Sequence, residues 1–437
     1  MEHPKKIIFL QKVLRVMAIL VLKKYNPKIV SVTGSVGKTS AKEAIFTVLA
    51  GQFRVRRSEK NYNNEIGIPL TIIGAYSGCR SFWKWTKIFL KWLAVIILPL
   101  EYPEILILEM GADRPGDIKY LTGFIKSNIG IITDVSLSHI EFFKNINEIS
   151  KEKGTLVREL KENNLAIINI DNSNVAKLKE QIKTNLITIG FSKEADMQAT
   201  DPAFVYSDEN DNLNIKNREI KGLSFKLNYK GTTIPVRLNN VLAKHQIYAT
   251  LAATATGVSL GLNLVEIGAA LENFSSPCGR MNLIEGIKNS LIIDDTYNSS
   301  PTSALAALDV LEEIEAKRKI VVLGDMLELG AETEKEHRHL AKKFLEIKGD
   351  LFFAVGERMQ FAAGELLKHN FVKDNIFSFN NSPDAGRKLQ EVMREGDLIL
   401  VKGSQGMRME KVVEEVMAKP QKADELLCRQ SEDWKNI

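Results

Sequence analysis

The feature that most constrains this chain is a strand, a glycine turn and a helix that follow one another near its start. Residues 28–40 read KIVSVTGSVGKTS, with an apolar run over 29–32 and a helical run over 41–50. The turn is the shorter G-x-x-G-K-T form of a phosphate-binding loop, in which backbone N–H groups and the helix dipole face an anion. Lys38 adds a positive charge, and Thr39 or Ser40 offers a hydroxyl to Mg²⁺. The sequence therefore predicts an ATP site, with loop residues Gly34, Ser35, Val36, Gly37, Lys38, Thr39 and Ser40.

Bulk composition excludes several other classes of protein. A chain of 437 residues suggests about three domains of roughly 150 residues each. The net charge of +5 is small and spread out, so a nucleic-acid partner is not predicted. The 3 cysteines, Cys79, Cys278 and Cys428, are far apart, which predicts neither a disulfide framework nor a zinc site. A reducing cytoplasm fits this cysteine usage best, and we expect a monomer.

Two apolar segments carry basic residues, and their role is open at this point. Residues 7–25 are rich in Ile, Leu and Val, and residues 82–100 hold three tryptophans with three lysines between them. Neither segment has about 20 consecutive uncharged residues, so neither predicts a membrane span. One interpretation is a pair of helices lying on the inner face of a membrane, which would make the protein peripheral there. The other is packing on the protein itself, with the lysine side chains reaching past apolar surface.

Polar residues at the ends of two further strands indicate a metal site beside the loop. The strand 105–108 is followed by Glu109, and the strand 129–133 leads to His139. Because the carboxyl ends of parallel strands meet at one sheet edge, both side chains are expected near the loop, where Glu109 would bind Mg²⁺. A polar segment over 61–69 is predicted to be a loop, in which Asn61, Asn63 and Asn64 can hydrogen-bond a polar ligand.

The alternation of strands and helices predicts an α/β fold in two main units. Strands and helices alternate up to residue 190, alternating short runs over 201–238 predict antiparallel hairpins, and a second αβ alternation begins at 291. We expect a central P-loop ATPase domain with a mostly parallel sheet plus a small antiparallel section, followed by a Rossmann-like α/β domain. The predicted units are an amphipathic helix at 1–27, the central domain at 28–278 with an amphipathic insertion at about 78–103, and the C-terminal domain at 279–437.

Nine short motifs stand in one order along the chain and together carry a resemblance. They are TGSVGKT at 33–39, NYNNEIG at 61–67, LEMGA at 108–112, His139, KEKG at 151–154, Gly279-Arg280, DDTYN at 294–298, GDMLELG at 324–330 and LVKGS at 400–404. In this order they resemble the Mur ligase family, over about residues 28–418. GDMLELG with DDTYN is similar to the MurF type, which joins D-alanyl-D-alanine to UDP-N-acetylmuramoyl-tripeptide in peptidoglycan synthesis.

The resemblance implies a reaction and a role for each motif residue. ATP would phosphorylate the terminal carboxylate of the muramyl peptide, and the dipeptide amine would attack the acyl phosphate. The implied catalytic residues are Lys38, Glu109, His139 and Lys153; Thr39 and Glu109 would bind one Mg²⁺, and His139 with a carbamylated Lys153 a second. His245, Gln246, Arg280 and Asn298 would contact the nucleotide, and Asp325, Glu328 and Lys402 the incoming amino acid. ATP and Mg²⁺ are the implied cofactors, and UDP-muramyl-peptide and D-alanyl-D-alanine the small-molecule partners.

The sequence departs from the pattern of the family at several positions. Gln246 stands where an Asn is usual, Asp134 likewise replaces an Asn, and Gln405 an Arg. Only about 27 residues precede the strand that leads into the loop, so we expect the usual UDP-binding domain to be lacking. Two alternatives follow from these departures. One is a related amide ligase that uses another amino acid or carrier, and the other is a membrane-associated P-loop binding protein without ligase activity.

Overall fold

The computed structural model describes residues 5–59, 62–79, 81–136, 142–206, 220–431 and 434. Asn61 and His139 lie outside the described residues, so their predicted roles stay predictions. The strands are β1 Lys28–Thr33, β2 Val55–Arg57, β3 Ile105–Glu109, β4 Ile129–Ile132, β5 Leu165–Asn169, β6 Asn185–Gly190, β7 Met197–Tyr206, β8 Ile220–Tyr229, β9 Thr232–Asn239, β10 Asn282–Gly286, β11 Ser290–Asp295, β12 Arg318–Gly324, β13 Leu351–Val355, β14 Ile376–Phe379 and β15 Asp397–Lys402.

Helices surround these strands on both sides. They are α1 Lys5–Tyr25, α2 Lys38–Leu49, α3 Gly67–Ile73, α4 Phe82–Ile97, α5 Asp117–Thr122, α6 Ile146–Arg158, α7 Ser173–Ala176, α8 Gln246–Ser259, α9 Leu264–Leu271, α10 Pro301–Glu313, α11 Thr333–Glu346, α12 Gln360–Lys368, α13 Ser382–Val392, α14 Glu410–Val416 and α15 Ala423–Leu426.

The first sheet places the phosphate-binding loop at its centre. Its strand order is β2-β3-β1-β4-β5-β6-β7-β8-β9, parallel from β2 to β7 and antiparallel across β7, β8 and β9. Every residue of β3 and β4 is buried, as expected for parallel strands covered by helices on both faces. Helices α2 and α8 pack against the sheet through a core that includes Val30, Ile45, Ile107 and Leu251. The carboxyl ends of β1, β3 and β4 therefore meet at one edge.

The second sheet has the order β10-β11-β15-β12-β13-β14. Only its edge strand β10 runs antiparallel, and the remaining pairs are parallel. Its helices cover both faces over two apolar clusters, one around Leu308 and Phe344 and the other around Leu389 and Val412. The predicted α/β class, with a mostly parallel sheet, a small antiparallel section and a Rossmann-like second unit, is confirmed.

The two basic apolar segments form helices that differ in how much of them is buried. Helix α1 buries Leu14, Met17, Ala18 and Val21 against the first unit, whereas the 16 residues of α4 bury only Ile88 and Val95. Within the described ranges, no helix is both long enough and apolar enough to cross a membrane.

One predicted loop is shorter in the structure than the sequence suggested. The polar segment was expected to run to Pro69, but α3 begins at Gly67. The side-chain oxygen of Asn64 accepts hydrogen bonds from the backbone N–H groups of Ile66 and Gly67, at 3.2 and 2.9 Å. Because such bonds satisfy donors at a helix start, the helix begins two residues before the proline.

Candidate active site

The loop between β1 and α2 has the shape of a phosphate cradle. Gly34 comes so close to the next strand that a Cβ there would lie 2.0 Å from the Thr133 hydroxyl. Gly37, with φ of +84°, directly precedes α2, a conformation that favours glycine. The ammonium of Lys38 folds back over the loop and donates to the Gly34 carbonyl at 2.7 Å. The N-terminal N–H groups of α2 and this ammonium therefore face the same space.

Glu109 ends β3 next to the loop and has one carboxylate oxygen without a hydrogen bond. The residue pairs in register with Val32 on β1 and is buried. Its Oε1 accepts from Asn63 Nδ2 at 3.4 Å. Its Oε2 lies 3.8 Å from the Lys42 ammonium and has no hydrogen-bond partner among the described residues. A buried carboxylate oxygen without a hydrogen bond, in a cleft that Thr39 also lines, suits a hard cation such as Mg²⁺.

Lys153 projects from α6 into the same loop. Its side chain is buried, and its amine donates to the Gly34 carbonyl at 3.1 Å. Burial and, after it, the neighbouring charge of Lys38 lower the pKa of Lys153 to about 7. A substantial fraction of this amine is therefore neutral near pH 7, which is the form that reacts with CO₂ to give a carbamate. Among the described residues no group of three or more His, Cys, Asp or Glu side chains could hold a metal, so the Glu109 site would need other oxygen ligands.

Arg280 connects the second unit to the loop. Its guanidinium Nη2 donates to the hydroxyl of Thr39 at 3.3 Å, and its Cζ lies 4.2 Å from the ring centroid of Tyr297. Gly279, with φ of +71°, sets the direction of the chain before it. The Nε of Arg280 is buried without a hydrogen-bond partner in the described part of the chain. The geometry leaves this cation free to donate to an anion held by the loop.

Lys402 and Asn298 stand on the opposite wall of the same cleft. The buried Lys402 ammonium donates to Asp295 at 2.6 Å and to the Asn298 carbonyl at 2.9 Å. The Asn298 side-chain oxygen accepts from the backbone N–H of Gln405 at 3.4 Å. Asp325, by contrast, accepts from the backbone N–H of Met359 at 2.7 Å and is held by the protein's own chain. Its predicted contact with the incoming amino acid stays a prediction.

A cleft of about 400 Å³ gathers most of the predicted residues between the two sheets. The predicted residues that line it are Ser35, Val36, Gly37, Lys38, Thr39, Ser40, Asn63, Asn64, Glu109, Lys153, His245, Gln246, Arg280, Asn298, Glu328 and Lys402. A neighbouring cavity of about 310 Å³ shares Asn63, Asn64, Asp113 and Glu328 with it and adds Glu65 and Arg114. The cleft thus has a phosphate end at the loop and a second polar end at the Asn63 loop.

A third cavity, of about 170 Å³, lies between α8 and α10 and adjoins Val36 and Gly37 of the loop. His245 and Gln246 line it, and burial lowers the pKa of His245 to about 4, so its imidazole is neutral near pH 7. Gln246 is buried, and its side-chain oxygen has no partner within the described ranges. A partly apolar space with a neutral imidazole and one unpaired amide oxygen next to the loop suits a nucleotide base.

Sequence reasoning missed several residues of the cleft. Lys42 is fully buried and bonds the Ser58 carbonyl at 2.7 Å, close to Glu109. Its spacing of four residues from Lys38 on one helix face was a usable signal. Asp295 lies inside the motif DDTYN. Its hydrogen bond with Lys402 arises because β11 and β15 are neighbours in the second sheet. Asp134, the departure after β4, accepts hydrogen bonds from Ser136 and Asn172, both at 2.6 Å.

The fold and this cleft define a P-loop protein in which a second α/β unit completes a phosphate-binding site. Two family models match the chain, the Mur ligase middle domain over residues 94–257 and the Mur ligase, glutamate ligase domain over residues 279–405. The UDP-N-acetylmuramoyl-tripeptide–D-alanyl-D-alanine ligase of Bacillus subtilis (strain 168) is 30% identical over 400 residues, covering 91% of this chain and 78% of the relative. The chain belongs to the Mur ligase family, which confirms the resemblance.

Other relatives and solved structures of the same type are also similar to this chain. The enzyme of that name from Escherichia coli (strain K12) is 28% identical over 391 residues, covering 88% of this chain and 76% of the relative. The crystal structure of MurF from Acinetobacter baumannii matches with a TM-score of 0.75 at 23% identity, over 92% of this chain and 79% of that one. MurF ligase from Thermotoga maritima in complex with ADP matches with a TM-score of 0.74 at 23% identity, over 93% and 83%. These two structures support the fold.

Proposed function

We propose that this protein is an ATP-dependent amide ligase that joins D-alanyl-D-alanine to a UDP-N-acetylmuramoyl-tripeptide in peptidoglycan precursor synthesis. The observation that carries the proposal is the convergence in one cleft of Lys38, Glu109 and Lys153 from the first unit with Arg280 and Lys402 from the second. The relatives named as UDP-N-acetylmuramoyl-tripeptide–D-alanyl-D-alanine ligases give the proposal its substrates.

The residues of the cleft have different proposed roles in binding ATP and the tripeptide. The ammonium of Lys38 and the N–H groups from Gly34 to Ser40 would hold the phosphates of ATP, while Arg280 would donate to the phosphoryl group that moves. His245, Gln246 and Asn298 would place the nucleotide base and ribose. The terminal carboxylate of the tripeptide would lie near Asn63 and accept the phosphoryl group.

Formation of the amide bond needs the acyl phosphate and the dipeptide amine side by side. The carboxylate oxygen attacks the γ-phosphorus of ATP and ADP leaves, so that the carboxylate becomes an acyl phosphate. The neutral amine of the dipeptide then attacks this carbon, the amine loses a proton and inorganic phosphate leaves. Glu328 lines both cavities, and Lys402 lines the cleft. These two side chains would bind the charged groups of the dipeptide.

The residues present fit Mg²⁺ at the phosphate end of the cleft. Glu109 with its free buried oxygen and the hydroxyl of Thr39 would hold one ion, and a carbamate on Lys153 with His139 would hold a second. When bound, Mg²⁺ would neutralise negative charge on the phosphate oxygens.

The proposal is tested by phosphate release from the purified protein with ATP, Mg²⁺ and UDP-muramyl-tripeptide, with and without D-alanyl-D-alanine. We expect release that depends on the dipeptide, together with a product heavier by one dipeptide. Release with another amino acid in place of the dipeptide would point to a related ligase of different specificity. Release without any acceptor or amine would be that of a regulatory NTPase and would contradict the proposal.

A further inference from the structure

Helices α1 and α4 carry a concentration of exposed apolar side chains. On α4, Phe82 is 76% exposed and Trp83 75%, and on α1, Phe9 is 70% exposed. The other large apolar residues exposed on these helices or just after α4 are Ile8, Val16, Leu20, Phe89, Leu90, Leu93, Ile97, Leu98 and Leu100. An apolar surface of this extent on a folded protein marks an interaction site, because single exposed residues are usual and clusters are not.

The outward apolar side chains of α4 share one face of the helix. Phe82, Phe89, Leu93 and Ile97 follow one another at intervals of seven, four and four residues, which places them on one side. The opposite side buries Ile88 and Val95 against the protein. Helix α4 is therefore apolar on two sides, and only one of them is used by the fold.

The two helices also lie together. The indole N–H of Trp92 donates to the Met17 carbonyl at 3.1 Å, and the Lys24 ammonium donates to the carbonyl of Val95 at 2.9 Å. These contacts join α1 to α4 side by side, so their exposed residues belong to one region of the surface. We call this region, formed by the exposed residues of α1 and α4, the α1/α4 face.

Charge on the α1/α4 face has a single sign. Six basic residues lie in α1 and three in α4, and the sequence has no acidic residue between Glu2 and Glu43 or between Glu65 and Glu101. The whole chain has 59 basic and 54 acidic residues, so this separation is local. The exposed lysines are Lys6, Lys12, Lys23, Lys24, Lys84, Lys87 and Lys91.

We propose that the α1/α4 face binds the surface of an anionic lipid bilayer, with the outward side of α4 inserted at the level of the headgroups. Phenylalanine, tryptophan and leucine on one side with lysines beside them is the composition of helices that lie in a membrane interface. Lysines without carboxylates complement anionic headgroups. A protein partner or a second copy would bury the apolar side chains equally well, but a second copy would bring the same positive charge against this face. The proposal is independent of the reaction proposed above.

The test is flotation of the purified protein with vesicles of phosphatidylcholine alone or of phosphatidylcholine with phosphatidylglycerol. We expect flotation with the anionic vesicles that weakens as salt is added, and a blue shift of tryptophan emission on binding. Phe89→Glu should abolish flotation, and Lys84→Glu with Lys87→Glu should weaken binding roughly 25-fold or more, at about fivefold per lysine. Because these side chains are exposed, the variants should keep their thermal stability and ATP binding.

A matched control comes from another helix of the same protein. Val265 on α9 is 72% exposed and Phe89 50%, so Val265→Glu adds the same charge at an exposed apolar position outside the face. Its flotation should equal that of the unchanged protein. Absence of flotation with anionic vesicles would overturn the proposal. Equal loss of flotation in Phe89→Glu and Val265→Glu would overturn it as well. A stable dimer that Phe89→Glu separates, without lipid binding, would also overturn it and assign the face to a second copy.

Discussion

The ammonium groups of Lys38 and Lys153 donate to one and the same carbonyl, that of Gly34, at 2.7 and 3.1 Å. Two like charges held on one acceptor in a buried place repel each other, which contributes to the low pKa of Lys153. Lys38 comes from the helix after the loop and Lys153 from a helix more than a hundred residues later. The loop therefore places Lys38, the cation proposed to bind phosphate, beside an amine that is easily made neutral.

Replacement of Lys38 should remove most of the activity. Lys38→Ala deletes the ammonium that faces the phosphates, so ATP-dependent product formation should fall by about 10²–10³-fold. Lys28, exposed at the opposite end of β1, is the matched control, and Lys28→Ala should retain full activity. Undiminished product formation by Lys38→Ala, measured as product mass over time, would contradict the phosphate-site assignment.

Lys153 should act through a carbamate rather than as an ammonium. Lys153→Ala should be inactive, and added short carboxylates should restore part of its activity by supplying the missing oxygen ligand. Lys151, on the same helix but exposed, provides the control, because Lys151→Ala should keep full activity and gain nothing from added carboxylates. Removal of CO₂ from the buffers should lower the activity of the unchanged protein. Full activity of Lys153→Ala in CO₂-free buffer would exclude the carbamate.

Glu109 should set the requirement for Mg²⁺. Glu109→Gln replaces a carboxylate with a neutral amide, so the Mg²⁺ concentration for half-maximal activity should rise by about tenfold or more. Glu104 precedes the same strand at its other end and is exposed, so Glu104→Gln should leave the Mg²⁺ dependence unchanged. The readout is activity against Mg²⁺ at fixed ATP, and coinciding curves for Glu109→Gln and the unchanged protein would remove Glu109 from the metal site.

Arg280 should couple the second unit to the reaction. Loss of a hydrogen bond to a charged group costs about 1.5–3 kcal/mol, so Arg280→Ala should lower kcat/KM for ATP roughly 10- to 100-fold. Arg237, exposed on β9, is the control for loss of a positive charge. If Arg280→Ala and Arg237→Ala have the same kinetics, the contact between Arg280 and Thr39 has no part in catalysis.

Asp294 should make the protein less stable as the pH rises. Burial raises the pKa of this carboxyl from 3.8 to about 7, so between about pH 4 and pH 7 the folded state binds more protons than the unfolded state. The free energy of unfolding therefore falls as pH increases through this range, by at most ~1.4 kcal/mol for each pH unit. Asp294→Asn removes the charge, so its stability relative to the unchanged protein should be greater at pH 8 than at pH 5.

Denaturant unfolding of both proteins at the two pH values measures this difference. Asp374→Asn, which removes an exposed carboxyl, is the control variant. An equal stability difference at pH 5 and pH 8 for Asp294→Asn would show that the Asp294 carboxyl has no raised pKa in the folded state.

Local sequence patterns predicted the strands of the two sheets well but the contacts between units poorly. The apolar runs before Gly34 and Glu109 became β1 and β3, because buried parallel strands read as continuous apolar runs. Helix α2 begins at Lys38, three residues before its apolar run, because Gly37 can adopt the turn that precedes it. Strand β10 was not predicted, since it is an edge strand with a weak pattern.

The missed interactions are those that depend on long-range packing. The pairs Lys402–Asp295 and Arg280–Thr39 join residues 107 and 241 positions apart, which no local pattern specifies. The bounds of the domains predicted from the sequence stay predictions, although the first sheet ends at Asn239 and the second begins at Asn282. The order of the motifs predicted candidate site residues, and only the fold shows that most of them line one cleft.

The measurement that tests the central claim most directly is isotope transfer from the tripeptide to phosphate. UDP-muramyl-tripeptide labelled with ¹⁸O in its terminal carboxylate is incubated with the protein, ATP, Mg²⁺ and D-alanyl-D-alanine, and the released phosphate is analysed by mass. An acyl phosphate predicts one ¹⁸O atom in each phosphate released with product, because the carboxylate oxygen that attacks ATP leaves with the phosphorus. Product formed with unlabelled phosphate would contradict the account.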